Sequence, residues 1–155
     1  MTSGPVSSRR AGENGEAAVR EEIPELEGVP DEENVHVDAR ATTEIGGEVS
    51  IDEGQLVEIK TCSVVVTNNQ RHGRYYLRRD QHDHLLEKCA VYAFGVCEPR
   101  PDRDLIALSF VAAGDVDKII PDWRSGGENR PECVQIAWTN VVDETEVYNQ
   151  RGESA

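Results

Sequence analysis

Apolar residues in this chain are spaced more for strands than for helices. Val35-His36-Val37-Asp38-Ala39 alternates apolar and polar positions, as a strand with one buried face does. Gly46-Gly47 and Asp52-Glu53-Gly54 are turn signals bracketing a short strand at Val49 to Ile51. Leu56 to Thr67 (LVEIKTCSVVVT) is dense in β-branched residues and predicts the strongest strand. A polar loop, Asn68 to Gly73, follows. Arg79 to Ala90 (RDQHDHLLEKCA) has helical spacing, with Leu85, Leu86 and Cys89 on one face. Val91 to Cys97 (VYAFGVC) is apolar throughout, as in a strand covered on both faces. Leu105 to Val111 predicts another strand, Asp115 to Ile120 a short helix, and Cys133 to Val142 a last strand.

The first 34 residues differ, with nine carboxylates and few large apolar side chains. Residues 1–12 are expected to be a disordered tail. Asn14 can cap a helix over Gly15 to Glu22, which Pro24 stops. Residues 25–34 form an acidic linker, and 149–155 a second disordered tail. One domain, 13–148, is expected between the tails. Its order of helix, several strands, helix and strand predicts an α/β fold with a mixed central sheet flanked by helices.

Charge alters this picture. Thirty Asp or Glu against 16 Lys or Arg in 155 residues give a formal charge of −14. The cations are 13 Arg and only 3 Lys, and the apolar fraction is 37%. Few Lys and many carboxylates resemble proteins adapted to molar salt, where such a surface holds water and counterions but repels itself at low salt. An ordinary acidic protein is the alternative. No apolar run approaches the roughly 18 residues of a membrane span, and no signal-peptide h-region is evident. A cytoplasmic protein without a membrane partner is expected. Cys62, Cys89, Cys97 and Cys133 have no CxxC spacing and read as buried thiols.

The chemistry sits in the best strand. Glu58 and Lys60 are two apart, so they project from one face while Val57 and Ile59 project from the other. Burying either charge alone is costly, so the two must pair, bind metal or face a cleft. Asp38 interrupts another apolar strand. Carboxylates on neighbouring strands can hold one Mg²⁺ through hard oxygens, and a Lys beside them can assist the water that attacks a phosphodiester. The bland alternative is a surface Glu–Lys pair on an edge strand.

Asp38, then Glu58-x-Lys60, a helix carrying Gln81 and the strand Val91 to Cys97 resemble the PD-(D/E)xK, or restriction endonuclease-like, nucleases. The likeness covers roughly residues 14–98, and 99–155 match nothing comparable. Val37 stands where the named pattern has Pro, a residue many members lack. The resemblance implies a core of helix, three-strand β-meander, helix and strand. It further implies a Mg²⁺-dependent deoxyribonuclease, with Mn²⁺ as the alternative ion. Asp38 and Glu58 would ligate the metal and Lys60 would serve the water. Glu16, on the first helix, and Gln81 match positions that many members place near the site. Asp52, six residues before Glu58, is the rival first carboxylate, although Glu53-Gly54 after it make it a turn residue.

A second signal is local. Ile59 to Arg79 contains no carboxylate in 21 residues but includes Lys60, Arg71, Arg74, Arg78 and Arg79. With Tyr75 and Tyr76 beside them, these Arg residues suit a DNA phosphate backbone. His82 and His84 are i,i+2 on the helix, so they diverge and read as surface histidines. A catalytically inactive nucleic-acid-binding or accessory protein with the same fold is the alternative function. No separate specificity module is evident, which leaves structure-selective cleavage, a homodimer or guidance by a partner protein open.

Overall fold

The computed structural model describes residues 8–28, 37, 39–46, 49–66, 71–98, 105–125, 128 and 132–150. A five-stranded sheet forms the centre, in the order β1 (Leu26–Gly28), β2 (Ala39–Ala41), β3 (Leu56–Ser63), β7 (Val91–Cys97) and β8 (Leu105–Ala112). The first three strands form an antiparallel meander. β7 then pairs parallel with β3 in unbroken register from Val57↔Val91 to Ser63↔Cys97, and antiparallel with β8. All seven residues of β7 are buried, as its uniformly apolar sequence requires.

Alternation along β3 and β7 divides the interior in two. Val57, Ile59, Val91 and Ala93 pack with Val19 of α1 (Ser8–Glu22) on one face. Cys62, Tyr92, Phe94 and Val96 belong to a larger core on the other face, together with Leu85 of α2 (Arg79–Glu87) and Val116 of α3 (Ala113–Ile119). This is a mixed α/β fold flanked by helices. Among the described residues no helix is long and apolar enough to cross a membrane.

Two small sheets complete the second face. β4 (Val65–Val66) pairs with β5 (Arg71–His72), and β6 (Arg74–Arg78) pairs antiparallel with β9 (Cys133–Ala137). Tyr75 and Leu77 of β6 point into the core, where Tyr75 donates a 3.1 Å hydrogen bond to the Gly95 carbonyl. A 3₁₀ turn at Trp138–Asn140 and α4 (Glu144–Gln150) follow β9. Trp138 is fully buried and donates its indole N–H to the Val64 carbonyl at 2.7 Å.

Several elements depart from the sequence reading. α1 begins at Ser8 rather than Gly15, so residues 8–12 are helical and not tail. Gly15, a poor helix former, is there because a Cβ would collide with the Thr61 side chain of β3. β1 lies inside the segment read as an acidic linker, held by the single buried anchor Leu26. Val49 to Ile51 is no strand; Ile51 makes one isolated bridge to Ile45, and Gly54 turns with φ +85°. The strong strand stops at Ser63, and the segment expected to be a polar loop contributes β5. The last strand ends at Ala137, and α4 reaches Gln150.

The buried-thiol reading holds for Cys62 and Cys97, whereas Cys133 is half-buried and Cys89 departs from it altogether. It is exposed, lies beyond the end of α2, and has φ 52°. Its N–H donates to Leu86 O at 3.1 Å and the next N–H, of Ala90, to Leu85 O at 2.9 Å. These bonds form a Schellman cap, whose left-handed position usually holds Gly.

Candidate active site

Glu58 and Lys60 stand side by side on the face of β3 that looks toward α2. Glu58 is only 3% exposed, in the middle of the central sheet and among apolar neighbours. A lone carboxylate there would be strongly destabilising. Lys60 supplies the counter-charge, with Nζ 3.1 Å from Glu58 Oε2. The same ammonium donates to Gln81 Oε1 at 3.1 Å. Gln81 lies in the first turn of α2, with its side chain half-buried. Strand and helix thus fix one ammonium between an acid and an amide, and a pair so held is far from an exposed edge-strand pair.

Beside this trio lies a second polar group within the core. Tyr92 of β7 sits directly across from Glu58 in the parallel register. Its hydroxyl is 2.8 Å from His82 Nδ1, and His82 Nε2 is 3.0 Å from Asp117 Oδ1 on α3. Burial pushes the Tyr92 phenol well above its ordinary value near 10, with the negative charges of Glu58 and Asp117 adding to the effect. His82 is completely buried, which corrects its reading as a surface histidine. His82, next to Gln81, faces the sheet, where Tyr92 and Asp117 satisfy both ring nitrogens.

The other expected residues are distributed as follows. Asp38 lies outside the described residues; its neighbour Ala39 pairs with Val57, the residue before Glu58. Glu16 is half-buried on α1, whose Val19 packs over the opposite face of the sheet from Glu58 and Lys60. Asp52 is exposed in the turn before β3, where its N–H bonds to Gln55. Arg71 lies on β5 and Arg74 is exposed on β6. Arg78 pairs with Asp80 at 3.2 Å, while Arg79 pairs with Glu132 at 3.0 Å and more loosely with Asp83. Among the described residues, Arg78 and Arg79 therefore already have carboxylate partners. Tyr75 is a core anchor and Tyr76 is exposed, so the pair divides between packing and surface.

Among the described residues no three His, Cys, Asp or Glu converge as a complete metal cage. The donor chemistry nevertheless suits a hard divalent cation: Glu58 offers carboxylate oxygens, and Asp38 directly precedes the strand next to β3.

The sheet order, with an antiparallel meander, a helix and a parallel fourth strand around Glu58-x-Lys60, defines a restriction endonuclease-like domain. A family model described as "PD-(D/E)XK nuclease superfamily domain" matches residues 2–143, and the chain belongs to this family. Comparison with curated proteins finds no significant match.

Proposed function

We propose that this protein is a Mg²⁺-dependent deoxyribonuclease, with Mn²⁺ able to substitute, in which Glu58 and Asp38 hold the cation. The observation that carries the reading is the buried Glu58 carboxylate on the central strand, paired with Lys60, whose ammonium is held in turn by Gln81 of α2. A buried ion pair contributes little net stability compared with an apolar replacement, so its position favours chemistry over architecture.

A divalent cation bound there supplies Lewis-acid stabilisation of charge on a phosphodiester. The remaining work falls to the chain. Gln81 holds Lys60 Nζ at a fixed point, so the ammonium costs little reorganisation when it meets developing negative charge. In that position Lys60 orients the attacking water or stabilises a phosphate oxygen. Burial of Glu58 strengthens its interaction with Lys60, while Lys60 itself stays partly exposed to the water it serves.

DNA phosphates would meet the segment running from β5 through β6 into α2, on which Arg71, Arg74, Arg78 and Arg79 lie. The ion pairs of Arg78 and Arg79 are solvent-exposed. Such pairs contribute about 0–1 kcal/mol, so a phosphate can take the place of the carboxylate. The −14 charge is assigned to adaptation to molar salt in a cytoplasmic setting, which leaves this local cluster to do the binding.

Incubating the protein with single-stranded, duplex, branched and RNA substrates in molar KCl, with and without Mg²⁺, tests the proposal. Mg²⁺-dependent cleavage of DNA supports it. Cleavage that is indifferent to the cation, or confined to RNA, refutes it.

A further inference from the structure

An open groove of about 530 Å³ lies beside β6 and β9, on the side away from the core. Arg74 and Tyr76 of β6, Gln135 of β9, and Arg124 and Ser125 from the segment after α3 contribute to its wall. The position of Arg124 is set by backbone, since its N–H and C=O both bond Cys133 of β9 at 2.9 Å. Tyr76 and Gln135 are register partners, so their side chains leave the same face of the small sheet together. Tyr76 is 50% exposed, and among the described residues only Ile119 is another large apolar side chain left so open. Among the described residues Asp122 is the one carboxylate in the wall, against two Arg, in a chain whose acids outnumber its cations 30 to 16.

We infer that this groove binds a single-stranded nucleic-acid segment, with a base stacked on Tyr76 and backbone phosphates held by Arg74 and Arg124. The inference rests on the nuclease reading and narrows its substrate to DNA with an unpaired stretch. The ring of Tyr76 offers an aromatic face that a base inside a duplex, already stacked on both sides, has no use for. Gln135 presents an amide able both to donate and to accept at a base edge. The Arg pair supplies the charge that a strand crossing an acidic protein requires, and an aromatic platform flanked by cations is how single strands are held without sequence preference. In the chain the groove stands close to the candidate active site, since Tyr76 is five positions before Gln81 and β6 runs directly into α2.

The test is fluorescence anisotropy on the full chain, in EDTA at several KCl concentrations. The probes are a labelled oligothymidine of about 12 nucleotides, within the span one such site covers, and a duplex of equal length. Wild type is expected to prefer the single strand. Tyr76→Ala should weaken that binding by about tenfold while Tyr76→Phe preserves it, since stacking needs the ring and not the hydroxyl. Arg124→Gln should weaken it too and reduce the slope of log affinity against log salt by about 0.7. Ile119→Ala should change nothing. Unchanged affinity in both Tyr76→Ala and Arg124→Gln, equal losses on the duplex, or no single-strand binding by wild type would each overturn the inference. Cleavage is not measured in EDTA, so a failed groove leaves the Glu58 site standing and a failed nuclease reading leaves these affinities interpretable.

Discussion

Replacing Tyr92 with Phe separates the buried polar group from the rest of the core, because the change removes one oxygen and keeps the ring. At pH 7 the loss is the hydrogen bond to His82 Nδ1. A typical intramolecular bond contributes about 1 kcal/mol, and the unpaired ring nitrogen can raise the cost to about 3 kcal/mol. The pH dependence is more diagnostic. Burial first, and Glu58 and Asp117 after it, hold the folded phenol protonated far above the value near 10 of the unfolded chain. A raised folded value means that the stabilisation is complete below pH 10. It is lost as pH rises above 10 toward the folded value, since only the unfolded chain then releases the proton. The slope approaches about 1.4 kcal/mol per pH unit, and the loss is about 1.4 kcal/mol by pH 11. Tyr92→Phe lacks this contribution while sharing every other titration. A variant weaker by about 1 kcal/mol at pH 7 should therefore equal wild type near pH 11. Urea unfolding followed by tryptophan fluorescence, at fixed molar KCl from pH 7 to 11, measures both curves. Parallel curves throughout would refute the assignment of Tyr92 to a buried site between Glu58 and Asp117.

Other outcomes follow from local geometry. Gly15→Ala should cost about 1–3 kcal/mol through overpacking against Thr61, and Thr61→Ala should recover much of it in the double variant, as a double-mutant cycle in urea would read. Cys89→Gly should stabilise by roughly 0.5–1 kcal/mol, because Gly adopts the left-handed cap without strain; a lower Tm would contradict the cap geometry. Lys60→Ala should lower stability by about 1–3 kcal/mol, since it strands the buried Glu58 charge, whereas Gln81→Ala should cost about 1 kcal/mol or less. Raising KCl from about 0.1 M, where the screening length is about 10 Å, to molar levels should raise Tm, and a flat response would remove the case for salt adaptation.

The elements most legible in the sequence were those whose periodicity was long and whose burial was complete. Val91 to Cys97 is uniformly apolar and forms β7 with those bounds. Glu58 and Lys60 stood out because charges two apart in an apolar strand must find partners, and the structure gives them each other and Gln81. β1 escaped because a three-residue strand with one buried Leu carries too little alternation to distinguish it from an acidic linker. The early start of α1 was hidden by Gly12 and Gly15, whose low helix propensity is overridden at Gly15 by close packing on Thr61. His82 was missed because its partners, Tyr92 and Asp117, are 10 and 35 positions away. A polar-tipped aromatic within an otherwise apolar strand was the available signal, since a buried Tyr hydroxyl needs a partner.

The central claim is that Glu58 is a ligand for the catalytic cation and not simply the counter-ion of Lys60. Single-turnover cleavage of a DNA substrate in saturating Mg²⁺, comparing wild type with Glu58→Gln, tests it most directly. Gln keeps the shape and can still accept from Lys60, so circular dichroism should report an intact fold. The account predicts that cleavage falls by at least about a hundredfold, the scale of losing one preorganised electrostatic contact at the reacting centre. A folded Glu58→Gln protein that cleaves DNA at the wild-type rate would contradict it.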